Sequence, residues 1–143
     1  MSVIYQTEGI KAPVFQKRNT TSWIKGITES YGKKIGEIAY IFCSDEKILE
    51  INHQYLQHDY YTDIITFDYT EGNKISGDIF INPNTVKINA ELYHTEYEEE
   101  LQRVIIHGVL HLCGINDKEP GERKIMENAE NQALELRKLF NLV

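Results

Sequence analysis

Two histidines four residues apart, followed by a glycine and then a carboxylate, leave the stretch from His107 to Asp117 few ways to fold. Four residues advance an α-helix by about 400° and about 6 Å, so His107 and His111 project from one face, at a separation that one ion with bonds of roughly 2 Å can bridge. Gly114 can take the left-handed conformation that ends a helix and turns the chain back, which carries Asp117 toward the same ion. Three protein donors leave a fourth position open, the arrangement of a catalytic zinc rather than a purely structural one.

The remaining segments decide what this helix packs against. Val3 to Gln6 has the pattern of a short strand, and Asn19-Thr20-Thr21-Ser22 offers capping side chains for a first helix over 19–31. Ile38 to Phe42 reads as a buried strand, after which Ser44 caps a second helix carrying Ile48, Leu49, Ile51 and Leu56 at helical spacing. His58 to Tyr61 is a loop. Ile64 to Phe67 and Ile79 to Ile81 are strands joined through Glu71-Gly72-Asn73 as an antiparallel hairpin. Asn82-Pro83 opens a short helix running to about Leu92, and Thr95 to Glu98 has the form of a capping box ahead of the histidine helix. A last helix over 121–140 has Ile125, Met126, Ala129, Ala133, Leu136 and Phe140 as its inner stripe. Five helices and a small mixed sheet, with no repeat or low-complexity linker, predict a single α+β domain over residues 1–143.

Composition narrows the classes of function. With 41% hydrophobic and 26% charged residues the chain is ordinary for a globular domain, and no run of about 18 apolar residues is present to span a membrane. Residues 1–9 have neither a basic start nor an apolar stretch, so no targeting segment is visible and a cytoplasmic location is expected. Cys43 and Cys113 stand too far apart to suggest a disulfide framework or a metal-binding pair. The net charge of −7 argues against a large nucleic-acid surface, although Lys17, Arg18, Lys33 and Lys34 lie away from the acidic run Glu96 to Glu100 and leave room for a small basic face.

The frame His-x3-His-x2-Gly-x2-(His or Asp) is the ligand frame of metzincin-type zinc hydrolases. Peptidases with H-E-x-x-H use the Glu beside the first histidine as general base; here that position is Gly108, which cannot take a proton. A metallopeptidase would need Glu119, Glu122 or a residue from another segment in its place. Spacing alone names no general base.

Taken together, HGVLHLCGIND and the upstream segments TDIITFDY and SGDIFIN resemble the YbeY family, bacterial metal-dependent endoribonucleases of ribosomal RNA maturation. The family motif H-G-x-L-H-L-x-G-x-D-H is matched at His107, Gly108, Leu110, His111, Leu112 and Gly114. By that spacing the resemblance implies His107, His111 and Asp117 as ligands of one Zn2+ per chain, with Asp117 where many members have histidine and Asn116 where they usually have aspartate. It also implies a four-stranded sheet packed with helices. The implied activity is single-strand-specific RNA cleavage in the late 3′-end maturation of 16S rRNA and in ribosome biogenesis and quality control. RNA and the small ribosomal subunit are the implied partners, for a monomer with no membrane attachment. A carboxylate binds zinc at a distance similar to imidazole, but lowers the net charge of the ion to about +1.

One departure concerns phosphate binding. The family usually carries arginine at the end of N-x-x-[YF]-R, where this chain has Asn52-His53-Gln54-Tyr55-Leu56, and leucine has no planar donor fork. Arg103, one turn before His107 on the same helical face, is the candidate catalytic cation. The rival reading of a zinc that only pins two helices, in a ribosome-associated binding module, draws support from the missing arginine and the acidic charge. Asp63 and Asp78 suit structural roles at strand starts; His53, His58 and His94 show no mutual spacing. Cys113 is about 200° around the helix from His111 and faces the core. Tyr55, Tyr60, Tyr61 and Tyr69 can stack on bases but more commonly pack beside strands.

Overall fold

The computed structural model describes residues 2–56 and 62–143. Along the chain run strand β1 (Ser2–Glu8), helix α1 (Lys17–Ser30), β2 (Lys34–Cys43), α2 (Asp45–Leu56), β3 (Ile64–Asp68), β4 (Lys74–Ile81), α3 (Pro83–Leu92), α4 (Tyr97–Leu112) and α5 (Glu122–Glu135). The last helix tightens into a 3-10 turn over Leu136–Phe140. The strands form one mixed sheet in the order β1-β2-β4-β3, with β1, β2 and β4 parallel and β3 antiparallel to β4. This is the single α+β domain of four strands and five helices that the patterning and the resemblance predict. The loop expected over 58–61, with His58, Tyr60 and Tyr61, lies outside the described residues.

Alternation along the strands separates two apolar clusters. Ile38, Tyr40 and Phe42 of β2 and Ile75, Ile79 and Ile81 of β4 meet Trp23 of α1, Leu101 and Ile105 of α4 and Met126 of α5 in the main core. Cys43 and Ile65 meet Ile48 and Ile51 of α2 in a smaller one. The two largest buried side chains spend their polar ends as ties between elements: Trp23 Nε1 donates to the Ala133 carbonyl at 2.9 Å, and Tyr40 Oη to the Ile105 carbonyl at 2.8 Å.

Several local signals act as expected. Ser44 Oγ accepts from the Lys47 amide at 3.2 Å, capping α2. Glu71 and Lys74 close the β3–β4 hairpin around Gly72 at φ 60°. Asn82, 1% exposed, caps α3 by accepting from the Thr85 amide at 2.7 Å and ties it to β2 by donating to the Cys43 carbonyl at 3.0 Å.

Others do not. Helix α1 starts at Lys17, so the expected caps lie inside it. There Thr21 bonds back to the Lys17 carbonyl at 2.8 Å and to Tyr5, an alternative that threonine hydroxyls readily take. The residue before α4 is Glu96, with no side-chain cap; Glu98, Glu99 and Glu100 complement the helix dipole instead. Helix α5 starts at Glu122, and its inner face is Met126, Ala129, Glu130, Ala133 and Leu134. That centre lies about 100° from Ile125, which is 60% exposed, and the 3-10 turn leaves Leu136 at 38%. No described helix is long and apolar enough to cross a membrane.

Candidate metal centre

Helix α4 ends as the glycine signal predicts. Gly114 has φ +104°, its amide bonds to the His111 carbonyl at 3.0 Å, and the Ile115 amide reaches the Leu110 carbonyl at 3.1 Å. This paired closure is a Schellman motif: it satisfies the last carbonyls and reverses the chain. The reversal brings Asp117 Oδ2 to 3.4 Å from His107 Nε2.

Gly108 has a packing reason of its own. A Cβ there would stand 2.9 Å from Ile79 Cδ1 and 3.1 Å from Ile79 Cγ2, so the absence of a side chain lets α4 approach β4 closely. The position that holds the peptidase base in H-E-x-x-H points into the sheet here and has no room for a carboxylate.

The other nitrogen of His107 is also held. Nδ1 lies 2.7 Å from Glu130 Oε2, and Glu130 is in turn paired with Arg103 at 2.8 Å, whose second terminal nitrogen donates to Asn131 at 2.7 Å. An ionised carboxylate only accepts, so Nδ1 carries a proton in this bond and Nε2, the other ring nitrogen, faces Asp117. Burial alone would push Glu130 up, but the His107 and Arg103 contacts outweigh it and hold its carboxyl below the usual range. Burial works the other way on His107, where Glu130, Asp117 and Asp63 more than reverse it and raise the imidazole above its ordinary value.

These groups line one open cavity of about 550 Å³, together with His111, Lys118 and residues Thr62–Thr66 at the start of β3. Four carboxylates face it, Asp63, Glu100, Asp117 and Glu130, against the cations Arg103 and Lys118. Burial raises both Asp63 and Glu100, partly offset by His107 and by the Arg103 guanidinium respectively. A cavity with this excess of acid attracts cations.

The donor set fits zinc along one edge. Two bonds of about 2.0 Å at a tetrahedral angle put their donor atoms about 3.3 Å apart, close to the observed His107–Asp117 separation. A carboxylate on the far nitrogen of a histidine is the usual support of a metal ligand, fixing ring and tautomer. His111 lines the same cavity, although among the described residues no three His, Cys, Asp or Glu side chains are gathered about one point as they stand.

Other expected residues fall elsewhere. Asp78 accepts from Tyr69 Oη at 3.2 Å and does not line the cavity. His53 and His94 do not line it either, and Cys113 is half-buried, its thiol pushed up to about 11 by burial. Leu56 is the last residue of α2; Asn52, one turn earlier, lines the cavity. Tyr55 and Tyr69 are exposed, the former edge-on to Phe67 at 5.6 Å. Sequence reasoning missed Glu130 and Glu100, and the available signal was a charged residue at a core-facing helical position.

Known proteins match the chain over nearly its whole length. The family model described as Endoribonuclease YbeY matches residues 5–138. A Bacteroides fragilis protein named Endoribonuclease YbeY is 71% identical over 138 residues, covering 96% of this chain and 99% of its own. The Porphyromonas gingivalis protein of that name is 48% identical, covering 91% and 86%. A solution structure of a Thermotoga maritima protein superposes with a TM-score of 0.68 at 26% identity, covering 93% of this chain and 88% of that one. On the histidine motif, the four-stranded mixed sheet and near full-length similarity, the chain belongs to the Endoribonuclease YbeY family.

Proposed function

We propose that this chain is a zinc-dependent, single-strand-specific endoribonuclease that acts on ribosomal RNA, in the late 3′-end maturation of 16S rRNA and so in ribosome biogenesis and quality control. It works as a cytoplasmic monomer with RNA and the small ribosomal subunit as partners. The observation that carries the reading is the Glu130–His107–Asp117 alignment, which presents Nε2 of a tautomer-locked histidine beside a carboxylate at the wall of an open cavity.

His107, His111 and Asp117 would hold one Zn2+, whose chemistry there is Lewis-acid polarisation of a phosphodiester. Glu130 fixes the His107 ring. Arg103, with two of its five N–H donors committed to Glu130 and Asn131, keeps others to direct at a phosphate oxygen, the role proposed for it in catalysis. His111→Ala is expected to lose the metal and reduce cleavage of a single-stranded RNA oligonucleotide at least 100-fold, with an unchanged circular-dichroism spectrum. Full-rate cleavage by metal-free wild type would overturn the zinc role.

One observation favours a second reading, a ribosome-associated module in which zinc pins α4 to the turn before α5: the cavity carries more carboxylates than cations, which suits an ion better than a polyanion. Under that reading chelation lowers the melting temperature while RNA binding follows the fold alone. Gly108, closed against Ile79, disfavours a metallopeptidase.

A further inference from the structure

At the far end of β4 from the candidate metal centre lies a second concavity, of about 820 Å³, which four lysines from three elements line. Lys25 comes from the last turns of α1, Lys33 and Lys34 from the turn into β2, and Lys74 from the hairpin end of β4. Two features of the chain force them together. Gly32, at φ +71°, ends α1 and turns the chain, and the Lys34 amide then bonds to the Asn73 carbonyl at 2.8 Å. That bond sets Lys34 and Lys74 directly opposite one another in the parallel β2–β4 register.

Like charges paired across neighbouring strands repel, by a few tenths to about 1 kcal/mol. Folded proteins commonly relieve such a pair with a nearby carboxylate. Among the described residues none of these four lysines makes an ion pair, although the chain carries 22 acidic residues to 15 basic ones. Of the two acids in the concavity, Glu29 and Glu37, the latter is bonded by the Ser2 hydroxyl and has Lys74 as a charge neighbour. Ser76 accepts from the Glu37 amide at 3.1 Å and so retains its own hydroxyl proton as a donor. An acidic chain has thus gathered four lysines against two carboxylates, with a hydroxyl donor, in one recess.

We infer that this lysine-lined recess is an anion site for the phosphate backbone of single-stranded RNA, remote from the metal centre. The inference rests on the endoribonuclease reading for its choice of polyanion. The acid-lined cavity repels phosphates, and Leu56 supplies no guanidinium, so attraction for the strand has to come from elsewhere on the molecule. Seven steps of β4 from Lys74 to Ile81, which pairs with Ile64 of the cavity wall, span about 23 Å. A stacked strand rising about 3.4 Å per nucleotide covers that distance in about seven nucleotides. The recess holds the strand by its backbone, without reading sequence.

The test is fluorescence anisotropy of the full-length protein with labelled single-stranded RNA in EDTA, so that binding is read whether or not the protein cleaves. Four phosphate contacts predict a slope of log K against log salt near −2.8, and Lys34→Ala/Lys74→Ala should reduce it to about −1.4, with roughly ten-fold weaker binding. Lys34→Glu/Lys74→Glu should bind more weakly still, and Lys124→Ala on α5 should match wild type. An alanine pair that keeps the wild-type slope and affinity overturns the inference, as does a wild type that fails to bind RNA. So does binding to phosphatidylserine vesicles that the alanine pair loses while its RNA binding is unchanged, an outcome that reassigns the recess to lipid headgroups. Loss of the slope in the lysine variants, with no cleavage under any metal condition, sustains the anion site and rejects the nuclease reading alone.

Discussion

The two ends of β4 carry opposite chemistry. At its Ile81 end the open cavity gathers Asp63, Glu100, Asp117 and Glu130; at its Lys74 end the recess gathers Lys25, Lys33, Lys34 and Lys74. Of the acids, Glu100 and Glu130 are buried, and Glu130 is paired with Arg103 and His107; of the lysines, Lys25, Lys34 and Lys74 are exposed and Lys33 half-buried, and none makes an ion pair among the described residues. Buried charge needs partners or an ion, because desolvation is expensive; exposed charge can wait for a ligand, because water already solvates it. The net charge of −7 averages over this division and forecasts neither end.

The largest effect should come from breaking the packing of α4 on β4, the strand whose two ends carry the two sites. Gly108→Glu would restore the H-E-x-x-H pattern and drive a carboxylate into Ile79, combining overpacking with a buried unpaired charge; a loss of about 3 kcal/mol or more in urea unfolding is expected, with both sites lost together. Wild-type stability in that variant would show that α4 does not rest on β4 through this residue. Glu130→Gln sharpens the comparison by touching one end only. It should weaken zinc binding about 10- to 100-fold in a competition titration with a chelating dye, because a neutral amide supports the His107 tautomer less well than a carboxylate. Its RNA salt slope should stay at the wild-type value, since sites this far apart act independently. Ile125→Ser, at 60% exposure, should move stability by under about 0.5 kcal/mol and neither binding property; a larger loss would return Ile125 to the inner stripe that periodicity suggested.

Much of the fold was legible because its signals are local. Asn82-Pro83 caps α3, Gly72 turns the hairpin and Gly114 closes α4, each through bonds within a few residues. Thr20 and Thr21 misled because a threonine hydroxyl serves a helix interior by bonding backward as well as it serves a cap. Ile125 misled because the stripe of α5 is centred one residue further on and includes Glu130, which hydropathy assigns to solvent. At the site, the meeting of His107 and Asp117 followed from spacing and a glycine stop. Glu130 did not, because its pairing with His107 crosses 23 residues and depends on how α5 lies against α4. The lysine recess was half visible: Lys33 and Lys34 belong to it, Lys17 and Arg18 do not line it, Lys74 joins through the β2–β4 register, and Lys25 joins from α1 across the turn at Gly32.

The central claim is that the α4 motif, closed by Gly114, holds a metal through His107, His111 and Asp117. Elemental analysis of purified wild type and Asp117→Ala tests it most directly. About one zinc per chain in wild type and a small fraction of that in the variant is the predicted result; a variant that keeps its full equivalent, or a zinc-replete wild type that binds none, would contradict it.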